Sequence, residues 1–342
     1  MKITKILVAI SFLFTVIGSA NAGELTVTGN METTYRTDSG STTGNPLGTD
    51  RELKFAGSTE LDNGITVSVM QDTGDTLLFS NSQIAFSNTM GTIYIGSDSD
   101  PMDSIDDVTP SAYEEANGSG SGTYVDIGGG ASQMGVGIKY DIPFAGKLNA
   151  KYYPKVDGAK GTDNSVSGDT GAGTGDATVV SLTTDLGALT DVLSGATITT
   201  GITDLENATA VGSDDTLELT AAINYAYGPV KIGFQKKHNE LGETATNSGI
   251  RYKDDIIGIA YAINDSLSIS WNKVTSTVTN ENFGGANALA QVGGVEQETE
   301  ALNLGYAIGG MTIGLQSAET TNAGYVALAN DDSKTLGISV AF

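Results

Sequence analysis

Residues 98–131 read DSDPMDSIDDVTPSAYEEANGSGSGTYVDIGGGA and join two short segments, TIYIG at 92–96 and QMGVGIKYD at 133–141. Both flanking segments alternate apolar and polar residues, a pattern that predicts β-strands. A turn between adjacent strands normally takes about 2–5 residues. A connection of 34 residues is therefore either functional or disordered, and we call it the acidic loop.

The acidic loop contains eight carboxylates and no basic residue: Asp98, Asp100, Asp103, Asp106, Asp107, Glu114, Glu115 and Asp126. Such a run could line a passage, could be a solvated loop without a role, or could bind Ca²⁺ through Asp103, Asp106 and Asp107. The calcium interpretation lacks the Gly at the sixth position and the closing Glu of a calcium loop of about 12 residues.

The period of two continues along the chain from Glu24. In the first segment the odd-numbered positions are less polar, and the even-numbered positions up to Arg36 are polar. Sixteen such segments occur, each near the roughly 9–11 residues that a tilted strand needs to cross a bilayer. They span about 25–35, 51–61, 65–71, 79–88, 92–97, 132–141, 147–154, 177–186, 194–203, 215–226, 229–238, 249–261, 266–276, 298–308, 311–320 and 333–342.

Short and long connections alternate between these segments. The short ones are 62–64, 89–91, 142–146, 187–193, 227–228, 262–265 and 309–310. The long ones are 37–49, 72–78, 98–131, 155–176, 204–214, 239–248, 277–297 and 321–332. An even number of strands, with turns at one end and loops at the other, predicts an all-β fold, a 16-stranded antiparallel transmembrane β-barrel.

The two faces of each strand differ in polarity. A barrel of sixteen strands encloses a lumen too wide for side chains to fill, so the faces rich in Thr, Ser, Asn, Gly and Gln are predicted to line water. Leu, Ile, Val and Tyr are predicted to face lipid. An aromatic girdle is predicted at the turn-facing strand ends, from Tyr140, Phe144, Tyr225, Tyr227, Tyr261, Tyr306 and Phe342.

Residues 1–22 are predicted to be a cleaved secretory signal peptide, which leaves 23–342 as a single barrel domain. Lys2 and Lys5 precede an apolar run at 6–18, and the small residues that follow fit a cleavage site. An uncleaved membrane anchor is the alternative, but this run is short for a helix of about 20 residues.

The chain is strongly acidic, with a net charge of −24. Removal of Lys2 and Lys5 with the signal peptide makes it −26. This balance argues against nucleic acid and anionic lipid as binding partners, because both repel a negative surface. The chain contains no cysteine, which excludes disulfide and thiolate chemistry.

The last segment, KTLGISVAF at 334–342, has apolar residues at alternate positions and ends in Phe342. This segment resembles the closing strand of outer-membrane β-barrels. With the signal peptide and the sixteen segments, the whole mature chain resembles the Gram-negative general porins. The stretch GTIYIG at 91–96 is similar to the short fifth strand of that family. Two departures are Met90, where Phe is common, and the absence of the PEFGG-like loop tip of enterobacterial members.

The resemblance implies a homotrimeric outer-membrane channel without a cofactor, through which small hydrophilic solutes and ions diffuse passively. It also implies insertion among outer-membrane lipids by the barrel assembly machinery, which is thought to recognise the terminal strand. The acidic loop would be the third extracellular loop, folded into the barrel.

The resemblance further implies that carboxylates of this loop form a pore constriction: Asp98, Asp100, Asp103, Asp106, Asp107, Glu114 and Glu115. They would face basic side chains on the barrel wall. By the alternation of the strands, the candidate wall cations are Arg36, Arg51, Lys54, Lys139 and Lys151. Because the loop and the whole chain are acidic, the expected preference is for cations.

Three other classes of protein remain as alternatives. A channel for one nutrient class would usually carry an aromatic track, for which Tyr94, Tyr113 and Tyr124 are the candidates. A surface-array or adhesion protein would show a repeat of fixed period, and none is visible. An enzyme is disfavoured because His238 is the single histidine. The glycine runs in the acidic loop lack the Lys and the following helix of a phosphate loop.

Overall fold

The computed structural model describes residues 23, 25–39, 44–74, 79–97, 100–120, 122, 124, 127, 134–143, 146–154, 174–207, 215–241, 250–280 and 295–342. Sixteen β-strands account for most of them. They are β1 Leu25–Asp38, β2 Leu47–Glu60, β3 Thr66–Thr73, β4 Phe79–Asn88, β5 Gly91–Gly96, β6 Gly135–Ile142, β7 Gly146–Tyr153, β8 Thr174–Asp185, β9 Ala196–Asn207, β10 Thr216–Tyr227, β11 Val230–Glu240, β12 Ile250–Ala262, β13 Leu267–Asn280, β14 Gln297–Ile308, β15 Met311–Thr321 and β16 Asp331–Ala341.

The strands form one closed antiparallel barrel in which each strand pairs with its sequence neighbours. β1 closes the barrel against β16, with Asn30 opposite Ala341 and Asp38 opposite Ser333. The predicted 16-stranded barrel is confirmed, and each predicted segment corresponds to one strand. Within the described ranges, no helix has both the length and the apolar character needed to cross a membrane.

The pairing register separates an inner face from an outer face. Residues directly opposite each other on antiparallel strands share a face, so Thr28, Lys54 and Asp72 lie together on the inner face. The outer face exposes large apolar side chains such as Leu302 and Ile338. Exposed aromatic residues occupy the turn-facing strand ends on that outer face: Tyr140, Tyr225, Tyr227, Tyr261, Tyr306 and Phe342. Phe144, also expected there, lies outside the described residues.

Tight turns and long connections alternate as the sequence predicts, with one difference. The connection at 186–195, predicted to be short, holds two 3-10 turns, Leu186–Ala188 and Asp191–Leu193. Asp185 caps the first of these turns by accepting a hydrogen bond from the Gly187 amide. This connection is longer than the one at 74–78, which was expected to be long.

The seam of the barrel is completed by the C-terminal residue. The amide of Phe342 donates to the Gly29 carbonyl at 3.0 Å, and the Gly29 amide donates to the Phe342 carbonyl at 2.8 Å. The Phe342 ring lies directly over Gly29, where a Cβ atom would come within 2.7 Å of the ring carbon Cε2. Gly29 therefore provides the space in which the terminal ring packs.

We expect Gly29→Val to loosen this seam, because the added methyl groups overlap the Phe342 ring. Overpacking of this kind costs about 1–3 kcal/mol. The temperature at which the folded barrel loses its compact migration in detergent gels measures the effect. Thr33→Val, an outward substitution on the same strand, is the control. Equal midpoints for Gly29→Val and the wild type would contradict the proposed packing.

Candidate functional site: the acidic loop in the lumen

The acidic loop begins at a buried anchor on β7. The Tyr153 hydroxyl donates to Asp100 Oδ2 at 2.8 Å, and the Met102 amide donates to Asp100 Oδ1 at 2.8 Å. Burial raises the pKa of the Asp100 carboxyl. Beside this anchor, Met102, Ile105 and the later loop residue Ile127 form an apolar cluster with wall residues of β7 and β8. The start of the loop is thereby fixed to the inner wall.

A buried ion pair holds the next part of the loop. Lys237 Nζ on β11 lies 2.6 Å from Asp106 Oδ1 and 2.9 Å from Asp107 Oδ1, and the Lys237 side chain is only 2% exposed. Gln235 on the same strand donates from Nε2 to the carbonyls of Ile105, at 2.9 Å, and Asp106, at 2.6 Å. One wall strand therefore binds both the backbone and the charges of the loop.

Further along the loop, wall side chains bind backbone groups. Asn272 Nδ2 donates to the Pro110 carbonyl at 2.9 Å, and Ser270 Oγ accepts from the Ala112 amide at 2.9 Å. Gln316 Nε2 donates to the Glu114 carbonyl at 3.1 Å. These bonds replace the strand ladder for a segment without regular structure, since buried backbone polar groups need partners.

The tip of the loop reaches β1 across the lumen. The Tyr113 hydroxyl donates to Glu32 Oε1 at 2.6 Å, and Arg36 Nη1 donates to the Ser119 carbonyl at 2.5 Å. All these contacts fall on β7, β8, β11, β13, β15 and β1. The inner face of β2–β6 carries none of them, and we call it the open sector.

Glycines on the wall make room for the loop. A Cβ atom at Gly201 would lie 2.5 Å from both Met102 Sδ and Ile105 Cδ1, and one at Gly258 would lie 2.7 Å from the Pro110 carbonyl oxygen. Added Cβ atoms at four further glycines would also overlap the loop. We call the six the wall glycines: Gly201, Gly233, Gly258, Gly305, Gly314 and Gly337.

The predicted constriction carboxylates divide into two groups. Asp100, Asp106 and Glu115 are buried. The carboxylates of Asp100 and Asp106 bind wall side chains, whereas Glu115 is held through its backbone carbonyl, which accepts from Gln316 Nε2 at 3.3 Å. The carboxylates of the other group are exposed: Asp103, Asp107 and Glu114. Asp107 also accepts a hydrogen bond from Asn117 Nδ2 at 2.6 Å. Asp98, predicted to join this set, and Asp126 lie outside the described residues.

The calcium interpretation does not fit this arrangement. Asp106 and Asp107 converge on the Lys237 ammonium group, which occupies the position that a shared cation would take. Among the residues that the structure describes, no three His, Cys, Asp or Glu side chains converge so as to hold a metal ion.

The predicted wall cations lie in different environments. Arg36 binds the loop carbonyl of Ser119 and also Asp38, with Nε 2.8 Å from Asp38 Oδ1. Lys151 is on the inner face but only 2% exposed, with Nζ 4.5 Å from the ring centre of Tyr153. Its ammonium group is shielded from lumen water, and its charge favours the ionised form of the Asp100 carboxyl in the loop anchor.

Lys54 and Lys139 line a recess of about 460 Å³ in the open sector, which we call the lysine recess. The structure differs from the expectation for Arg51. Arg51 pairs with Met31 in the register, so it lies on the outer face. Residues 51 and 54 are three apart in one strand, and positions separated by an odd number point to opposite faces.

None of the candidate aromatic residues forms a track open to solutes. Tyr94 is fully buried, and its hydroxyl donates to Asn149 Oδ1 at 2.8 Å. Tyr113 is engaged with Glu32. Tyr124 packs beside the buried cluster around Ile256, and its hydroxyl contacts Thr299.

Sequence reasoning missed Lys237, Gln235 and the wall glycines. The alternation of β11 does carry a signal for the first two, because Gly233, Gln235 and Lys237 share the inner face. The ion pair itself could not be predicted, since it joins residues 130 positions apart. The high glycine content, 45 of 342 residues, was the only visible trace of the wall glycines.

The geometry defines a class of protein, a closed barrel whose lumen is narrowed by an inserted acidic loop. A family model described as Gram-negative porin matches residues 8–342. The chain therefore belongs to the Gram-negative porin family, and the family and the barrel fold indicate an outer-membrane location. Comparison of the sequence with curated proteins gives no match.

Solved structures share this fold at low identity. An anion-selective porin from Comamonas acidovorans aligns with a TM-score of 0.67 and 14% identity, over 94% of this chain and 100% of that chain. The trimer form of OmpT from Vibrio cholerae gives 0.65 and 12%, over 94% and 100%. OmpF from Salmonella typhi, in complex with daunomycin, gives 0.61 and 12%, over 94% and 98%. Identities this low show the fold alone.

We expect Lys237→Met to release the loop from β11. The substitution leaves Asp106 buried without its ammonium partner, and breaking a buried ion pair in this way costs about 3–5 kcal/mol. Single-channel recording should show larger and noisier currents.

Lys236→Met is the matched control. Lys236 points outward and forms an exposed pair with Asp255, and pairs of this kind are worth about 0–1 kcal/mol. Identical current traces for Lys237→Met and Lys236→Met would contradict the proposed clamp.

The docking of the loop should depend on pH through Glu115. Burial, with the nearby charge of Asp107, raises the pKa of the Glu115 carboxyl from 4.5 to about 7. The docked loop therefore favours the protonated form. The stabilisation from this proton is fully present below pH 4.5 and is lost as the pH rises through about 7.

Glu115→Gln keeps the side chain neutral, so we expect current noise that no longer increases between about pH 5 and 8. Asp103→Asn removes the same charge from an exposed position and should retain the pH dependence of the wild type. A wild-type profile that is flat over this range would rule out the role of Glu115.

Proposed function

We propose that the protein is a water-filled channel through which small hydrophilic solutes and ions diffuse passively across the outer membrane, with a preference for cations. It acts without a cofactor and catalyses no reaction. The observation that carries the proposal is the loop fixed across the lumen, with three exposed carboxylates: Asp103, Asp107 and Glu114.

The cation preference follows from the charges that lumen water can reach. A narrow passage with low-dielectric walls concentrates the field of its lining charges. Asp106 and Lys237 offset each other in a buried pair, and Lys151 is shielded by aromatic rings. The exposed loop carboxylates then dominate one side of the passage. The similar porin from Comamonas acidovorans is named as anion-selective, so the preference is argued from this chain's own residues.

Assembly is proposed on separate grounds. Residues 1–22, which lie outside the described ranges, would act as a signal peptide that is cleaved on export. The strand that ends in Phe342 would be recognised by the barrel assembly machinery, consistent with its position at the seam. A homotrimer is proposed because a trimer form is named for the similar OmpT structure.

The rival classes have less support. The aromatic candidates for a nutrient-specific track are buried or bonded to the wall. His238 points outward, opposite Leu219 in the register, with Nε2 3.7 Å from Glu240 Oε2. This surface position favours an incidental role over catalysis.

Neutralising the exposed carboxylates tests the selectivity. In a planar bilayer with a KCl gradient, we expect the triple variant Asp103→Asn, Asp107→Asn, Glu114→Gln to lower the cation-to-anion permeability ratio by about twofold or more. Asp265→Asn, in an exposed turn, is the control and should leave the reversal potential unchanged. An unchanged ratio in the triple variant would overturn the role of the loop, and no conductance from folded wild-type protein would overturn the channel.

A further inference from the structure

We propose that the connection between β15 and β16 holds the returning half of the acidic loop against the wall and so helps to set the width of the passage. This connection spans residues 322–330, and we call it the strap. Tyr325 is its positioning residue. The inference rests on the proposed channel function and adds a second segment that restricts solutes by size.

The backbone of the strap is unusual. Within the described ranges, only three residues other than glycine have a positive φ angle, and all lie in the strap: Asn322 at 53°, Tyr325 at 61° and Leu328 at 66°. Asn adopts this conformation readily, but Tyr and Leu rarely do, because Cβ then crowds the following carbonyl oxygen. Such backbone persists only where surrounding contacts impose it, and it is concentrated at functional positions.

Hydrogen bonds at the base of the strap impose this shape. Asn322 Nδ2 donates to the Glu296 carbonyl at 2.8 Å, and Asn322 Oδ1 accepts from the Leu328 amide at 3.0 Å. The Ala323 amide donates to the Ala329 carbonyl at 2.7 Å. The strap is therefore a closed turn that is tied to the residue preceding β14.

The strap inserts one aromatic ring into the barrel. Tyr325 is only 6% exposed, whereas Leu328 is 92% exposed. The hydroxyl groups of Tyr325 and Ser276 are hydrogen-bonded at 2.9 Å, and the Tyr325 ring centre lies 6.3 Å from that of Tyr252. Ser276 is on the inner face, because the register places it opposite Asp254, which is itself opposite Lys237.

One wall residue contacts both the strap and the acidic loop. Gln297 Oε1 accepts from the Gly324 amide of the strap at 2.7 Å. A Cβ atom at Gly122 of the loop would lie 2.9 Å from Gln297 Cδ. Gln297 is fully buried and stands opposite Ser276 in the register. The strap and the loop therefore pack against the same part of the inner wall.

The next inner position of β14 binds the loop alone. The Tyr124 hydroxyl contacts Thr299 Oγ1, which is also hydrogen-bonded to Thr320 Oγ1 at 2.6 Å. The strap covers this contact from the strand ends that carry the long connections. Loss of the Tyr325 ring would leave a gap beside Gln297 and allow Tyr124 to move from the wall.

The two halves of the acidic loop thus have separate supports. Lys237 and Gln235 on β11 bind the first half, at residues 105–107. The strap and β14 hold the returning half. A fixed passage width needs both supports, because a segment attached along only one half keeps freedom to open locally.

Polyethylene glycols of graded size test the strap in planar bilayers, because a polymer lowers the conductance only when it enters the passage. Tyr325→Gly removes the ring and tolerates a positive φ angle, so we expect larger polymers to enter than in the wild type. Leu328→Gly is the matched control. It relieves the same backbone strain but removes an exposed side chain, so it should keep the wild-type cut-off.

Gln297→Leu is a second variant that leaves the strap sequence intact. It removes the acceptor for the Gly324 amide and should shift the polymer cut-off in the same direction as Tyr325→Gly. If Tyr325→Gly yields no folded barrel, Gln297→Leu is judged by the same criterion.

A purely structural role would lower the unfolding temperature of these variants without changing the cut-off, and that result would overturn the strap. An equal shift in Leu328→Gly and Tyr325→Gly would also overturn it, since backbone strain would then set the width. These outcomes leave the conducting channel in place. Absence of conductance from folded wild-type protein would instead overturn the channel itself.

Discussion

Every backbone amide and carbonyl group in a bilayer must be paired within the protein, because lipid offers no partner. This constraint is met by a sheet that closes on itself, since closure removes the unpaired strand edges. The bonds between Gly29 and Phe342 complete that closure at the last residue of the chain. The even number of strands follows from the same constraint, because closure with every neighbouring pair antiparallel, including β1 and β16, requires it.

The acidic loop lies inside the barrel but has no strand-to-strand hydrogen bonds in its described residues. Side chains of the wall satisfy its backbone groups instead. Gln235, Asn272 and Gln316 donate to loop carbonyls, and Ser270 accepts from a loop amide. Irregular backbone at membrane depth is tolerated only where protein or a water-filled cavity surrounds it. The anchors hold the loop in place, and the proposed action of its exposed charges on solutes depends on that position.

The strands could be predicted from the sequence because their signal is local, a two-residue period that survives in every segment. The site was only partly predictable. The expected wall position of Arg51 was wrong because it breaks the alternation that places Lys54 on the inner face. The partner of Asp106 could not be found, since a loop charge and a wall charge far apart in the chain leave no local pattern. Burial separated Asp106 from Asp107, two adjacent carboxylates that the sequence alone cannot distinguish.

The wall glycines give the two halves of the lumen different freedom to change. Under the loop, the wall is complementary in shape to the loop backbone, and any larger side chain at Gly258 or Gly305 would displace the loop. At the glycines of the open sector whose neighbours the structure describes, an added Cβ atom would meet no residue of the acidic loop. Channels with this architecture can therefore acquire new permeants through substitutions in the open sector, while the wall that holds the loop sets the width of the passage.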